Sequence, residues 1–332
     1  MREYADDASL QLERVYDVAT RGRLDEIEAM LARFSAAHRL RDPRALALRG
    51  MHSVLGGDAP GGIGLLQRAL SQSDSRTGPY VTDLLVPLLL TASDVDDAEA
   101  ALNQIVDAPP TLLPALIALR SVISARRGRD EVSRRLSREA IALAQDGDQA
   151  MITARVLQRS SLAAFYREDF PEAQERSLEA ARAYESLGSY RNAAGSYSVL
   201  YVIAHAWLDD ADVARFYAER ITMNGHKAED LSLQNFGLVA QMEIAAEAGD
   251  HRRLGSIRAR LMANALHEQY SERFSIVLAG TLAYGWSARF EAARAALLSV
   301  RGAEDRSLPE RALCDAMLAL FCLLYTSPSP RD

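Results

Sequence analysis

Lysine is almost missing from this chain of 332 residues: Lys227 stands alone beside 37 arginines. A GC-rich coding sequence produces such a bias. Recognition of phosphate or carboxylate by guanidinium forks would also produce it, but requires a clustered site. Cysteine is scarce as well, and two residues, Cys314 and Cys322, cannot build a disulfide framework. Aromatic residues make up 7% of the chain, with two Trp and eight Phe. Strand formers are therefore thin, and a sheet-rich enzyme is not expected. No run approaches the roughly 18 apolar residues of a membrane span. The opening MREYADDASLQ is acidic and has no apolar stretch, so it does not read as a secretory signal. Cytoplasm is the expected compartment. Positive charge is also in deficit. The formal net charge is −7, which gives no overall electrostatic case for nucleic acid or an acidic membrane.

Helix formers are abundant: 56 Ala and 45 Leu. A chain of this length exceeds one ordinary core, so it forms two domains or an elongated array. A recurring signal favours the array. A turn with Gly or Asp and an apolar residue is followed three places later by a small or apolar residue opening a helix. The instances end at Ile27, Gly62, Ala98, Val132, Ala173, Ala214, Leu254 and Ala293, at intervals of 35, 36, 34, 41, 41, 40 and 39. The register at Gly62 and Val132 is open by a residue or two. The fifth unit shows the plan best. A helix from Ile152 to Arg167 precedes the turn, Asp169 caps the next helix with Glu172 at the box position, and Phe170, Ala173, Leu178, Ala180 and Ala181 form its stripe. Pro79 opens a helix after Gly78, Pro109, Pro110 and Pro114 mark the boundary before the fourth unit, and Pro87 interrupts DLLVPLLL and predicts a kink.

The spacing and the Gly/Asp-aromatic-x-x-Ala core resemble tetratricopeptide repeats from about Ala8 to Val300. The match is degenerate: no unit keeps the full Trp-Leu-Gly-Tyr set. The resemblance implies an all-α fold, a right-handed superhelical solenoid of about eight antiparallel helix pairs and a truncated ninth. The expected divisions are 1–145, with units of about 35 residues, and 146–306, with units of about 40. Residues 307–321 would form the first helix of the truncated repeat. Long, degenerate units also resemble the helical sensor regions of LuxR-type bacterial transcription regulators, in which a helix-turn-helix domain follows the repeats.

The final string CLLYTSPSPRD, residues 322–332, resembles the in-frame translation of a sequencing-library adapter. On that reading the native chain continued beyond Phe321. Ser307, Pro309 and Glu310 form a helix start just upstream, and the string interrupts that helix.

Chemistry-bearing residues are few. None of the six histidines falls in a metal-ligand spacing, and the Gly-rich GGDAPGGIG lacks the Lys-Ser/Thr of a phosphate loop. No metal, cofactor or catalytic constellation is expected. The arginines from Arg120 to Arg138 are interleaved with Asp130, Glu131 and Glu139. They read as a solvated turn with helix pairs, or as a contact for an anion or partner. Tyr166, Trp207 and Trp286 recur seven residues before Ala173, Ala214 and Ala293, and Glu247 holds that place in the unit between. They serve either helix-end packing or a ligand-lined concave face. Tyr190, Tyr197, Tyr201 and His205 make a second stripe, a core seam or a pocket wall. Arg155, Gln158 and Arg159 share one helix side and are expected to face a groove with Tyr197, Tyr201 and Trp207.

The functional expectation is a non-catalytic binding module for a protein, a peptide or a small-molecule effector, with no membrane contact and no direct DNA binding. The resemblance makes it the sensor part of a transcription regulator. The alternative is a free-standing adaptor. Repeat domains that clamp a C-terminal carboxylate need polar inner positions, and here those hold Val199, Ile203, Leu278 and Leu282.

Overall fold

The computed structural model describes residues 2–34, 41–92, 94–147 and 149–265. The eighth repeat, Trp286, Cys314, the helix start at Ser307 and the adapter-like string lie outside them. The described residues form fourteen α-helices and no strand. They are α1 (Arg2–Arg21), α2 (Leu24–Leu31), α3 (Pro43–Leu55), α4 (Ala59–Ser71), α5 (Gly78–Thr91), α6 (Val95–Asn103), α7 (Leu113–Arg126), α8 (Asp130–Gln145), α9 (Ala150–Tyr166), α10 (Phe170–Ser186), α11 (Tyr190–Val202), α12 (Ala211–Lys227), α13 (Leu231–Glu247) and α14 (His251–Ala265). A π-helical turn, Ile203–Trp207, follows α11.

The chain divides into two compact units, residues 1–203 and the residues from Ala204 onward. In the first, each odd-numbered helix packs on the even-numbered one that follows it, and on the next odd-numbered helix. This is the stacking of a helix-hairpin repeat, in which each pair buries its apolar face on its neighbour. In the second unit, α12 packs on α13 and α13 on α14.

Local chemistry starts and stops these helices. Asp58, Asp94, Asp169, Asp210 and Asp230 each accept a hydrogen bond from the backbone N–H three residues on. That is the N-cap arrangement, worth about 1 kcal/mol per site. Helix ends carry a left-handed residue: Gly at 22, 57, 128, 188 and 249, and a side-chain-bearing residue at Glu168, Asp209 and Glu229. A side chain there costs roughly 1–2 kcal/mol relative to Gly. α5 runs on through Pro87.

Most residues that mark the repeat spacing are buried. Ile27, Ala98, Ala173 and Ala214 are fully buried, and Leu254 nearly so. Val132 is the exception at 38% exposure, and its neighbour Ser133 is fully buried instead. The register shifts by one there, so the adjoining intervals become 35 and 40. Ser133 fits because its oxygen sits where α7 and α8 approach closely: Ser121 Oγ bonds the Ser133 carbonyl at 3.1 Å and Ser137 Oγ at 2.6 Å. Gly62 also marks a close approach, since a Cβ there would meet Val54 at 2.5 Å.

Candidate functional site

Side chains of α1 reach α5 and α9, and α11 reaches back to α1. This side of the first unit, its inner side, carries polar chemistry inside an otherwise apolar core. Asp83, on α5, lies among Val81, Leu84, Leu85 and Val86 and is buried. Two α9 guanidinium groups reach it. Arg155 Nη1 donates to Asp83 Oδ2 at 3.0 Å, and Arg159 Nη1 donates to Asp83 Oδ1 and, at 2.9 Å, to the Ala115 carbonyl. α1 closes the cluster. The Tyr16 hydroxyl donates to Asp83 Oδ2 and accepts from Arg155 Nη1. The Tyr16 ring lies edge-on to Tyr80 at 5.0 Å, with the Arg155 guanidinium 5.1 Å over it.

Electrostatics follow from burial. Burial pushes the Asp83 carboxyl up, but Arg159 and Arg155 outweigh it and hold the group below the usual carboxylate range. Burial drives the Tyr16 hydroxyl well above its ordinary value, and Arg155 only partly offsets that. Burial likewise pushes Tyr184 up to about 12. Both phenols therefore stay neutral near pH 7. The cluster holds two cations and one anion, an arrangement that rarely adds net stability, because desolvating the ions offsets their attraction.

Gln158 stands between Arg155 and Arg159 in sequence and extends the polar side towards α11. Its Oε1 accepts from the Tyr184 hydroxyl at 3.1 Å, and its Nε2 donates to the Asn192 carbonyl at 3.4 Å. Gly195 lets α11 approach, since a Cβ there would sit 3.2 Å from Gln158 Nε2. Asn192 Nδ2 in turn donates to the Thr20 carbonyl of α1 at 3.4 Å.

The residues singled out in the sequence thus fall in different places. Arg155, Gln158 and Arg159 share one side of α9, with both guanidinium groups buried. Tyr197 and Tyr201 are buried on α11, and the Tyr197 hydroxyl donates to Glu185 of α10 at 3.4 Å. Tyr166 is 38% exposed, and the Arg126 guanidinium lies 5.1 Å over its ring. In the second unit, Trp207 is 54% exposed, and His205 Nε2 lies 3.0 Å from Glu247 Oε2. Val199 packs beside Ile203, Ala164 and Ala173. Sequence reasoning missed Tyr16, Asp83, Tyr184 and Asn192. Asp83 carried a usable signal: it is the lone acid in VTDLLVPLLL, and an acid in so apolar a helix needs a buried partner.

The Arg120–Arg138 run is a solvated turn network for the residues that pair. Arg127 bonds Asp96 and Glu99, Arg129 bonds Glu99 at 2.7 Å, and Arg134 bonds Glu131 at 2.9 Å. Arg126 donates to the Leu90 carbonyl at 2.6 Å. Among the described residues, no group of three or more His, Cys, Asp or Glu is placed to hold a metal ion. No described helix is long and apolar enough to cross a membrane.

No protein-family model matches the chain, and no curated protein matches it by sequence. Solved structures do. A Rap protein complexed with competence and sporulation factor aligns over 96% of this chain and 98% of its own, at 9% identity and a TM-score of 0.58. A signal transduction ATPase with numerous domains from Pyrococcus horikoshii, described as having a tetratricopeptide repeat sensor, aligns over 90% of this chain and 46% of its own, at 11% identity and a TM-score of 0.53. The chain has a tetratricopeptide-like helical-repeat fold.

Proposed function

We propose that the chain is a non-catalytic binding module whose ligand surface is the inner side of the odd-numbered helices, centred on α9 and α11. The observation that carries this reading is the polar side of α9: Arg155, Gln158 and Arg159, with Asp83, Tyr184 and Asn192. Core packing alone does not call for that chemistry, and two buried arginines on one carboxylate are a poor source of stability. Such side chains supply orientation and specificity at recognition surfaces. The Rap protein of the same fold was solved with a bound factor, which supports a protein or peptide as the partner class here. A small-molecule effector is the other occupant that such a surface admits.

In this reading the module is the sensor or partner-binding part of a bacterial transcription regulator and works in the cytoplasm. It does not read DNA itself, because a net charge of −7 opposes the phosphate contacts that dominate such affinity. Selection of peptides from a displayed random library against the whole chain tests the reading. Peptides so retained should lose at least tenfold in affinity, by titration calorimetry, on Gln158→Ala. They should be indifferent to Arg134→Ala on the solvated turn. Loss confined to Arg134→Ala would overturn the assignment of the surface.

A further inference from the structure

The inner side of the first unit is covered, and what covers it is α1. This helix differs from its counterparts. It has 20 residues, but the α2 that follows has 8, so the first hairpin is mismatched in length. α1 instead crosses onto the later repeats. Tyr16 reaches Asp83 on α5 and Arg155 on α9, residues 67 and 139 positions away. The Thr20 carbonyl accepts from Asn192 on α11, 172 positions away. At the α1–α2 turn, Gly22 fits closely against Arg191: a Cβ there would come within 2.9 Å of its Cδ. Val15, Tyr16, Val18 and Ala19 supply the buried side.

We propose that α1 is a displaceable strap over the inner face, latched by Tyr16 to Asp83 and Arg155, and that a partner of that face enters by displacing it. The second half of this statement rests on the inner face being the ligand surface; the first half does not.

The balance of forces favours reversible docking. Among the residues of α1 whose burial is described, 12–21, the apolar side is one aromatic ring, two valines, an alanine and the half-buried Leu12. The latch contributes hydrogen bonds to ions, but α1 also dries a cluster with one positive charge in excess. Lifting α1 takes the Tyr16 hydroxyl from Asp83 and Arg155, and hydration in its place offsets part of the lost contacts. The pairs from α3 to α10 pack on neighbours on both sides, so α5 and α9, which carry the ions, cannot open without losing those contacts. α1 therefore sits at the low end of local stability and opens without the repeats.

Hydrogen exchange of the full chain, read by mass spectrometry, tests the strap. In the wild type, amides of residues 12–21 should exchange faster than those of α7 and α9. Tyr16→Phe removes only the latching hydroxyl. It should speed exchange in α1 about tenfold, the size expected for a hydrogen bond to charged groups, and leave α7 and α9 unchanged. Val18→Ala, which trims the apolar contact and spares the latch, should act on the same segment alone. Exchange of α1 in step with α9, or equal acceleration of both by either variant, would overturn the strap. A peptide retained by the displayed library should bind Tyr16→Phe more tightly than wild type. Equal or weaker binding would overturn entry by displacement. A library that yields no peptide counts against the proposed ligand surface, and the exchange result still decides the strap.

Discussion

The first unit uses the same ion pair in two settings. On the inner side, Arg155 and Arg159 meet Asp83 with side chains exposed by 7%, 10% and 1%. At the turn, Arg127 and Arg129 meet Asp96 and Glu99 with exposures from 32% to 85%. Both groups link arginines to carboxylates about 30 to 76 residues away, so both join separate repeats. Water makes the difference. The turn network is screened and replaceable, whereas the inner cluster is committed to its partners because none of its members can hydrate in place. A buried network of this kind is costly to break even where it adds little stability, so it marks a place where composition serves something other than packing.

Breaking the inner cluster should give the largest effect. Asp83→Asn leaves two guanidinium groups facing a neutral amide, and the cost is about 3–5 kcal/mol. The thermal midpoint of the first unit should drop by many degrees in a calorimetric scan. Glu99→Gln, the matched lesion at the turn, should leave the midpoint within error of wild type. Equal drops would erase the distinction between the two settings.

Acid sharpens the same contrast. The Asp83 carboxyl is held below its ordinary value, so the unfolded chain binds its proton first as pH falls. Its contribution is complete above about pH 4 and is lost as pH falls further, through the folded value. Asp42 and Asp74 are also held low: burial opposes Asp42, but the Arg44 hydrogen bonds outweigh it, while backbone donation from Thr77 leads for Asp74. The readout is therefore the difference between wild type and Asp83→Asn. That difference should be widest from neutral pH down to about 4 and should shrink below it. A gap that stays constant to pH 2 would mean that Asp83 is not the titrating partner.

Much of the fold was legible because its determinants are local. Asp N-caps, left-handed turn residues and small residues at repeat spacing act within a few positions of the chain, and they located Ala98, Ala173 and Ala214 correctly. At Val132 the spacing left the register open by a residue or two, because the deciding interaction, Ser133 against Ser121, is made across a helix pair. The site was only half legible. Helical spacing put Arg155, Gln158 and Arg159 on one side, but nothing in spacing connects them to Tyr16 or Asp83. Those partners are set by how the repeats stack, and the first helix reaches them from the far end of the unit. The turn arginines caught attention because they are dense in sequence, yet solvent makes them the less consequential group.

The smallest expected effect concerns the longer units. Glu168 holds a left-handed backbone where other turns carry Gly. Glu168→Gly should raise stability by about 1 kcal/mol, seen as a small rise in the denaturation midpoint. The same change at Gly128 in reverse, Gly128→Ala, should lower it by a similar amount.

Exchange protection in the presence of a library-selected peptide tests the central claim most directly. The inner-face account predicts new protection in α9 and α11, together with faster exchange in residues 12–21 as α1 is displaced. Protection confined to α6, α8 and the Arg127–Arg134 turn, with α1 undisturbed, would contradict it.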